Sequence, residues 1–96
     1  MISLTDQLTH ILRTKIIPEI PSNIWVETIN DTTPITIIKM YKNPNDIRLS
    51  LEYAERVQII LDMGGISSTI STLANEIWIY IPTKQLEVIC GYLRSV

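Results

Sequence analysis

Apolar residues near the N-terminus recur at the spacing of one face of an α-helix. They lie four, three, one and four positions apart and form a single stripe: Leu4, Leu8, Ile11, Leu12 and Ile16. Ser3, followed three residues later by Asp6, resembles an N-terminal capping box. Pro18 disfavours helical geometry in the residue before it. The pattern therefore predicts a first helix that ends ahead of Pro18.

Two β-hairpins are predicted from stretches rich in β-branched and aromatic residues. The four predicted strands are residues 24–29, 35–41, 66–72 and 76–82. Asn, Asp, Thr and Pro fill the connection between the first two strands, and Leu, Ala and Asn fill the connection between the last two. Both connections have hairpin lengths, so each pair of strands is expected to be antiparallel.

Residues 46–63 fit two patterns. Apolar and polar residues alternate over residues 47–53, which is typical of a strand. The whole segment is also rich in helix-forming residues, with Glu52 four positions ahead of Arg56. We favour one helix over the full span, and a short strand at 47–52 followed by a helix stays open as the alternative.

Glycine and proline mark the ends of the remaining elements. Gly64 and Gly65 are expected to end the helix of the middle segment, because glycine readily adopts the left-handed cap conformation. Pro82 ends the last predicted strand, and Thr83 is a predicted N-cap for a final helix. The apolar stripe of that helix is Leu86, Ile89, Cys90 and Leu93.

The element order α-β-β-α-β-β-α predicts a single α+β domain over residues 1–96. Two hairpins side by side give a four-stranded antiparallel sheet with helices packed on at least one face. A chain of 96 residues is too short for two stable cores. The composition, 46% apolar and 19% charged, is that of a globular domain.

Strand 76–82 is apolar on both of its faces. Successive side chains of a strand point to opposite sides, so Trp78 and Tyr80 share one face. The opposite face carries Ile77, Ile79 and Ile81. In the first strand, Trp25 likewise lies on the face opposite the aliphatic residues beside it. A strand with one solvated face alternates apolar with polar residues, so the pattern indicates that a helix, another copy of the chain or a ligand covers the aromatic face.

We predict an interaction face on the sheet from these residues: Trp25, Trp78, Tyr80, Ile38 and Met40. Trp and Tyr dominate the energetics of protein interfaces, and two sheets stacked across a two-fold axis would bury both aromatic sets. The first hypothesis is therefore a non-enzymatic interaction or assembly module that forms homo-oligomers. A different protein partner is the alternative occupant of the face.

The second hypothesis is a small nucleic-acid-binding protein. Lys39, Lys42 and Arg48 flank one loop and are candidate phosphate contacts beside Tyr41, on which a base could stack. A solvated loop containing Asp46 is the alternative interpretation. The net charge of −2 and the isoelectric point near 5.2 disfavour nucleic acid as the partner.

Enzyme signatures are not found in the sequence. It contains no glycine-rich phosphate loop, no G-x-S-x-G motif and no His and Cys at metal-binding spacing. We interpret His10 as an exposed helix residue near Asp6, and Cys90 as a buried structural thiol on an apolar stripe. The sequence therefore predicts no catalytic residues, no metal and no cofactor, and an enzyme that uses His10 or Cys90 is the third and least favoured hypothesis.

Cellular location is inferred from the segments that the sequence lacks. There is no basic region followed by an apolar run at the N-terminus, and no apolar stretch approaches the roughly 20 residues of a membrane helix. The single cysteine cannot form an internal disulfide, which fits a reducing compartment. We expect a soluble cytoplasmic protein that does not bind membranes.

Overall fold

A computed structural model describes residues 2–43 and 45–96 and has the predicted element order. The helices are α1 (Leu4–Ile11), α2 (Ile47–Met63) and α3 (Leu86–Ser95), and the strands are β1 (Ile24–Ile29), β2 (Ile35–Tyr41), β3 (Thr69–Thr72) and β4 (Glu76–Pro82). A π-helical turn, Leu12–Ile16, continues α1, and short 3₁₀ turns occur at Pro21–Asn23 and Thr83–Gln85. The prediction of an α+β fold with this order is confirmed.

The first helix begins at the predicted cap. The Ser3 hydroxyl accepts a hydrogen bond from the backbone N–H of Asp6 at 3.2 Å. Of the apolar stripe, Leu4 is exposed, and the other four members are buried: Leu8, Ile11, Leu12 and Ile16. Ile17 has already left helical geometry at a φ of −131°, so the helical segment ends ahead of Pro18 as expected.

The middle segment is a helix over its full length, and the alternative strand at 47–52 is wrong. The Asp46 carboxylate caps α2 by accepting from the N–H of Leu49 at 3.0 Å. In this conformation Ser50 is buried and Leu51 packs against the core, whereas Ile47 is 51% exposed. A strand at 47–52 would instead place Ile47 and Leu51 together on one side and Ser50 on the other. Pro44, part of the predicted helix opening, lies outside the described residues.

Two glycines end α2 for different reasons. Gly65 adopts a φ of +75°, which side chains with a Cβ rarely tolerate. Gly64 has an ordinary backbone but lies against the ring of Tyr92 in α3, and a Cβ built on it would be 2.6 Å from that ring. The Tyr92 hydroxyl donates to the carbonyl of Ile60 at 2.6 Å, which holds the ring in place. The end of α2 is thus packed directly against α3.

The substitution Gly64→Ala should destabilise the fold. We expect the free energy of unfolding to fall by about 1–3 kcal/mol, because the new methyl group must displace the Tyr92 ring. Gly91→Ala is the matched control, since Gly91 lies in α3 with nothing within 4 Å of an added Cβ. The control should raise stability by up to about 1 kcal/mol through helix propensity. Urea denaturation measures both, and equal midpoints would contradict the close contact.

Two sequence-based details are corrected near the C-terminal half of the sheet. Strand β3 starts at Thr69 and not at Ile66, because Ile66 turns away from the sheet and is buried in the core. Thr83 does not cap α3 with its side chain. Its hydroxyl lies 2.9 Å from the hydroxyl of Thr36 on β2, so it ties the end of β4 to the start of β2.

The sheet has the strand order β1-β2-β4-β3, and every neighbouring pair is antiparallel. One face of the sheet, here called the inner face, packs against the helices. Its apolar members are Ile24, Val26, Ile38, Met40, Ile70, Ile77, Ile79 and Ile81. Buried residues of all three helices join this face in a single hydrophobic cluster. The described residues therefore form two layers, helices on one side and the sheet on the other.

Candidate interaction face

The side of the sheet turned away from the helices carries the aromatic residues. We call this surface the outer face, and its members are Trp25, Glu27, Ile29, Ile35, Ile37, Lys39, Tyr41, Thr69, Ser71, Glu76, Trp78, Tyr80 and Pro82. The register aligns Trp25, Lys39 and Trp78 in one row across β1, β2 and β4. None of these residues belongs to the helix-covered cluster, so no described helix crosses over to cover them.

Three of the five residues predicted to form the interaction face are brought together on the outer face. Trp25, Trp78 and Tyr80 lie there and are each half-buried. The inclusion of Ile38 and Met40 was wrong, because both lie on the inner face and have 0% exposure. The sequence of a strand that is apolar on both sides does not reveal which side contacts the helices. The pairing of β2 with both of its neighbours decides which side that is.

Alternate residues of β2 occupy the outer face instead. Ile37 lies between Glu27 and Tyr80 in the register and is 1% exposed, although it belongs to the open side of the sheet. Tyr41 is 51% exposed, and its ring centroid is 4.6 Å from that of Trp25. Alternation along β2 predicts that these residues share one side of the strand, but only the fold shows that this side is the aromatic one.

Both tryptophans satisfy their indole N–H groups within their own strand. Trp25 donates to Glu27 Oε1 at 3.1 Å, and Trp78 donates to Glu76 Oε1 at 2.9 Å. In each case the carboxylate lies two residues away on the same face. Buried polar groups cost free energy when they lose their partners, and here the partners are internal. Another apolar surface could therefore cover both indole rings without breaking a hydrogen bond.

Lys39 occupies the centre of the aromatic row. Its Nζ is 2.6 Å from Glu27 Oε2 and 4.5 Å from the centroid of the Trp78 ring. Its side chain is 13% exposed. The hydrogen bond from the Lys39 ammonium is the main cause that lowers the pKa of the Glu27 carboxyl, and the indole N–H of Trp25 is the next. The charge of Lys39 is thus largely committed within the chain.

A hollow of about 630 Å³ lies at the end of the outer face opposite the aromatic row. It forms because β3 begins at Thr69, opposite Tyr80, so that β4 continues beyond the last residue paired with β3. Its walls include Pro34, Ile35, Ser68, Tyr80, Pro82 and Lys84. The Ser68 hydroxyl is buried without a hydrogen-bond partner among the described residues. The sequence contains no signal for this hollow, because it depends on where a strand starts to pair.

The predicted phosphate contacts are not gathered into one patch. Lys39 lies on the outer face, whereas Arg48 lies on α2, which packs against the inner face. The Arg48 side chain is 91% exposed, with its Nε 3.9 Å from Glu52 Oε1. Lys42 follows β2, and its backbone N–H donates to the Asn75 carbonyl at 3.0 Å. The sheet thus lies between Lys39 and Arg48.

The two candidate catalytic residues have ordinary surroundings. Cys90 is 1% exposed, as predicted for a structural thiol, and burial raises the pKa of that thiol. His10 is exposed on α1 and lines a separate hollow of about 530 Å³ with Asp6 and Arg94. Within residues 2–43 and 45–96 there is no group of three or more His, Cys, Asp or Glu side chains placed to bind a metal ion.

Comparison with known proteins gives no assignment: no protein-family model, no curated protein sequence and no solved structure matches this chain. Of the helices in the described part of the chain, none is both long and apolar enough to span a bilayer. Inferences about function therefore start from the chemistry of the outer face.

Proposed function

We propose that the protein is a small non-enzymatic assembly module that associates with further copies of itself through the outer face. The observation that carries the proposal is an open sheet face whose tryptophans have their polar atoms satisfied within the chain. Such a face presents apolar rings whose N–H groups need no hydrogen bonds from water. Contiguous surfaces of this kind mark interaction sites in soluble proteins.

The charges on the outer face favour a second copy as the partner. Glu27 and Glu76 are its carboxylates and Lys39 is its ammonium group, so the face carries both signs and a small net negative charge. A surface that contacts its own copy across a two-fold axis must be self-complementary. A mixed and nearly neutral face meets that requirement better than a strongly acidic or basic one.

The size of the face predicts weak association. Four strands of four to seven residues, about 4.8 Å apart, cover at most roughly 19 Å by 24 Å. Stable interfaces bury about 800 Å² of accessible surface on each partner, and this footprint of at most about 460 Å² is smaller than that. We therefore expect a dimer whose population depends on concentration in the micromolar range.

Nucleic-acid binding is the second candidate, because aromatic residues on an open antiparallel sheet can stack on bases. Phosphate contacts need Lys or Arg side chains that are free to release counterions. On the outer face, Lys39 is paired with Glu27. This candidate requires affinity for single-stranded RNA or DNA that falls steeply with added salt.

Light scattering at two protein concentrations, with tryptophan emission recorded on the same samples, tests the proposal. We expect a mass approaching twice the chain's 11.0 kDa at the higher concentration, together with a blue shift of the emission maximum as the tryptophans become covered. A monomer with unchanged emission at every concentration would overturn the proposal. Titration with single-stranded RNA at low and high salt would then test the second candidate.

A further inference from the structure

The outer positions of β4 and of the turn after it follow a pattern that is symmetric about Tyr80. In chain order the outer positions of β4 are Glu76, Trp78, Tyr80 and Pro82, and Lys84 follows in the 3₁₀ turn, where it lines the hollow. An acid stands four positions before the central tyrosine, and a base stands four positions after it. Neither Glu76 nor Lys84 belongs to an ion pair within residues 2–43 and 45–96. The two ends of this line are thus opposite and uncompensated charges.

The shape of the outer face also differs between the two sides of Tyr80. On one side of Tyr80 stands the large ring of Trp78, held to the sheet by its hydrogen bond to Glu76. On the other side lies the hollow beside Pro82, with Lys84 in its wall. A large ring and a recess therefore lie toward opposite ends of β4, on either side of Tyr80.

A two-fold axis places each feature over its complement. If the axis lies in the plane of the interface, perpendicular to the strands and over Tyr80, it exchanges the two ends of β4 between copies. We infer that two copies pack outer face to outer face in this way, with Trp78 of each copy in the hollow beside Pro82 of the other and Glu76 of each paired with Lys84 of the other. This inference rests on the proposed function and adds the arrangement of the copies to it.

The other simple two-fold arrangement uses the surface less well. An axis parallel to the strands, between β2 and β4, would place Lys39 over Trp78 of the second copy and Tyr41 over Glu76. It would leave the hollow unfilled and Lys84 without a carboxylate. Stacked sheets lie about 10 Å apart and cross at about 30°. The long side chains of Glu76 and Lys84 can bridge that separation near the ends of β4.

Exchange of the two charges tests the arrangement. The variants Glu76→Lys and Lys84→Glu each place like charges opposite one another at two symmetric positions. Each variant alone should associate about tenfold more weakly or worse, since paired charges become repelling ones. An equimolar mixture should recover association, because a heterodimer restores an opposite-charge pair at both positions. Sedimentation velocity on each variant and on the mixture measures this, and the recovery should diminish in 1 M salt.

Glu55→Lys is the control, because it makes the same change of charge as Glu76→Lys at an exposed position on α2, which packs against the inner face. It should leave association unchanged, and its heterodimer with Lys84→Glu should be weaker than its own homodimer, because one of the two positions then holds two carboxylates. A dimeric wild-type protein whose charge variants associate no better mixed than alone would overturn this arrangement and leave self-association standing. A wild-type protein that stays monomeric would overturn the proposed function itself.

Discussion

The variant Trp78→Ser is expected to be a folded monomer under conditions in which the wild-type protein associates. Trp78 lies on the outer face of β4, one of the two central strands of the sheet; the Lys39 ammonium is 4.5 Å from its ring centroid, which is 6.2 Å from that of Tyr80. It is outside the hydrophobic cluster formed with the helices. Removal of the ring therefore takes apolar contact area from the association and little from the core.

The expected magnitude is that of an interface hot spot. Truncating a central tryptophan typically costs at least about 2 kcal/mol of binding free energy, roughly a 30-fold rise in the dissociation constant. Light scattering measures the loss of mass, and far-UV circular dichroism on the same sample checks that the secondary structure remains.

Ile59→Ser is the control for Trp78→Ser. Ile59 is an apolar residue on α2 with 58% exposure, and it lies on the helix side of the molecule. Its replacement removes exposed apolar surface without touching the outer face, so the mass should match that of the wild-type protein. A Trp78→Ser protein that keeps the wild-type mass, or one that has lost its secondary structure, would contradict an association role for this ring.

The variant Ile38→Ala should lower the free energy of unfolding by about 2–5 kcal/mol, the range for truncating a fully buried isoleucine. Ile38 is 0% exposed on the central strand β2 and packs within the cluster that joins the sheet to the helices. Domains of this size have about 5–15 kcal/mol of total stability, so the loss should be visible as a large shift in the urea midpoint.

Ile29→Ala is the control for Ile38→Ala, since Ile29 is 43% exposed at the end of β1. Its truncation should cost no more than about 1 kcal/mol. Ile38→Ala should also keep its capacity to associate wherever it is folded, because Ile38 does not lie on the outer face. Equal losses of stability in the two variants would contradict the placement of Ile38 in the core.

The aromatic residues of the candidate face could be found from the sequence because a strand alternates sides strictly. Trp25 and Trp78 each stand opposite aliphatic neighbours in their own strands, so they share a side of the sheet once both aliphatic sets face the helices. Ile37 and Ile38 are both isoleucine in an apolar strand, and no local pattern tells which of them meets the helices. The hollow beside Pro82 could not be predicted from the sequence either, because it depends on the residue at which β3 begins to pair with β4.

The sequence by itself determined the elements and their order, because helix spacing, strand alternation and the cap at Ser3 are local properties of the chain. Only the tertiary structure decided that residues 47–52 belong to α2, because Ser50 is buried and Leu51 packs against the hydrophobic cluster, whereas a strand would place these two residues on opposite sides. It also decided that all three helices pack on one face. Burial is a property of the assembled layers, and therefore the open aromatic face, on which the proposed function depends, appears only when the layers are in place.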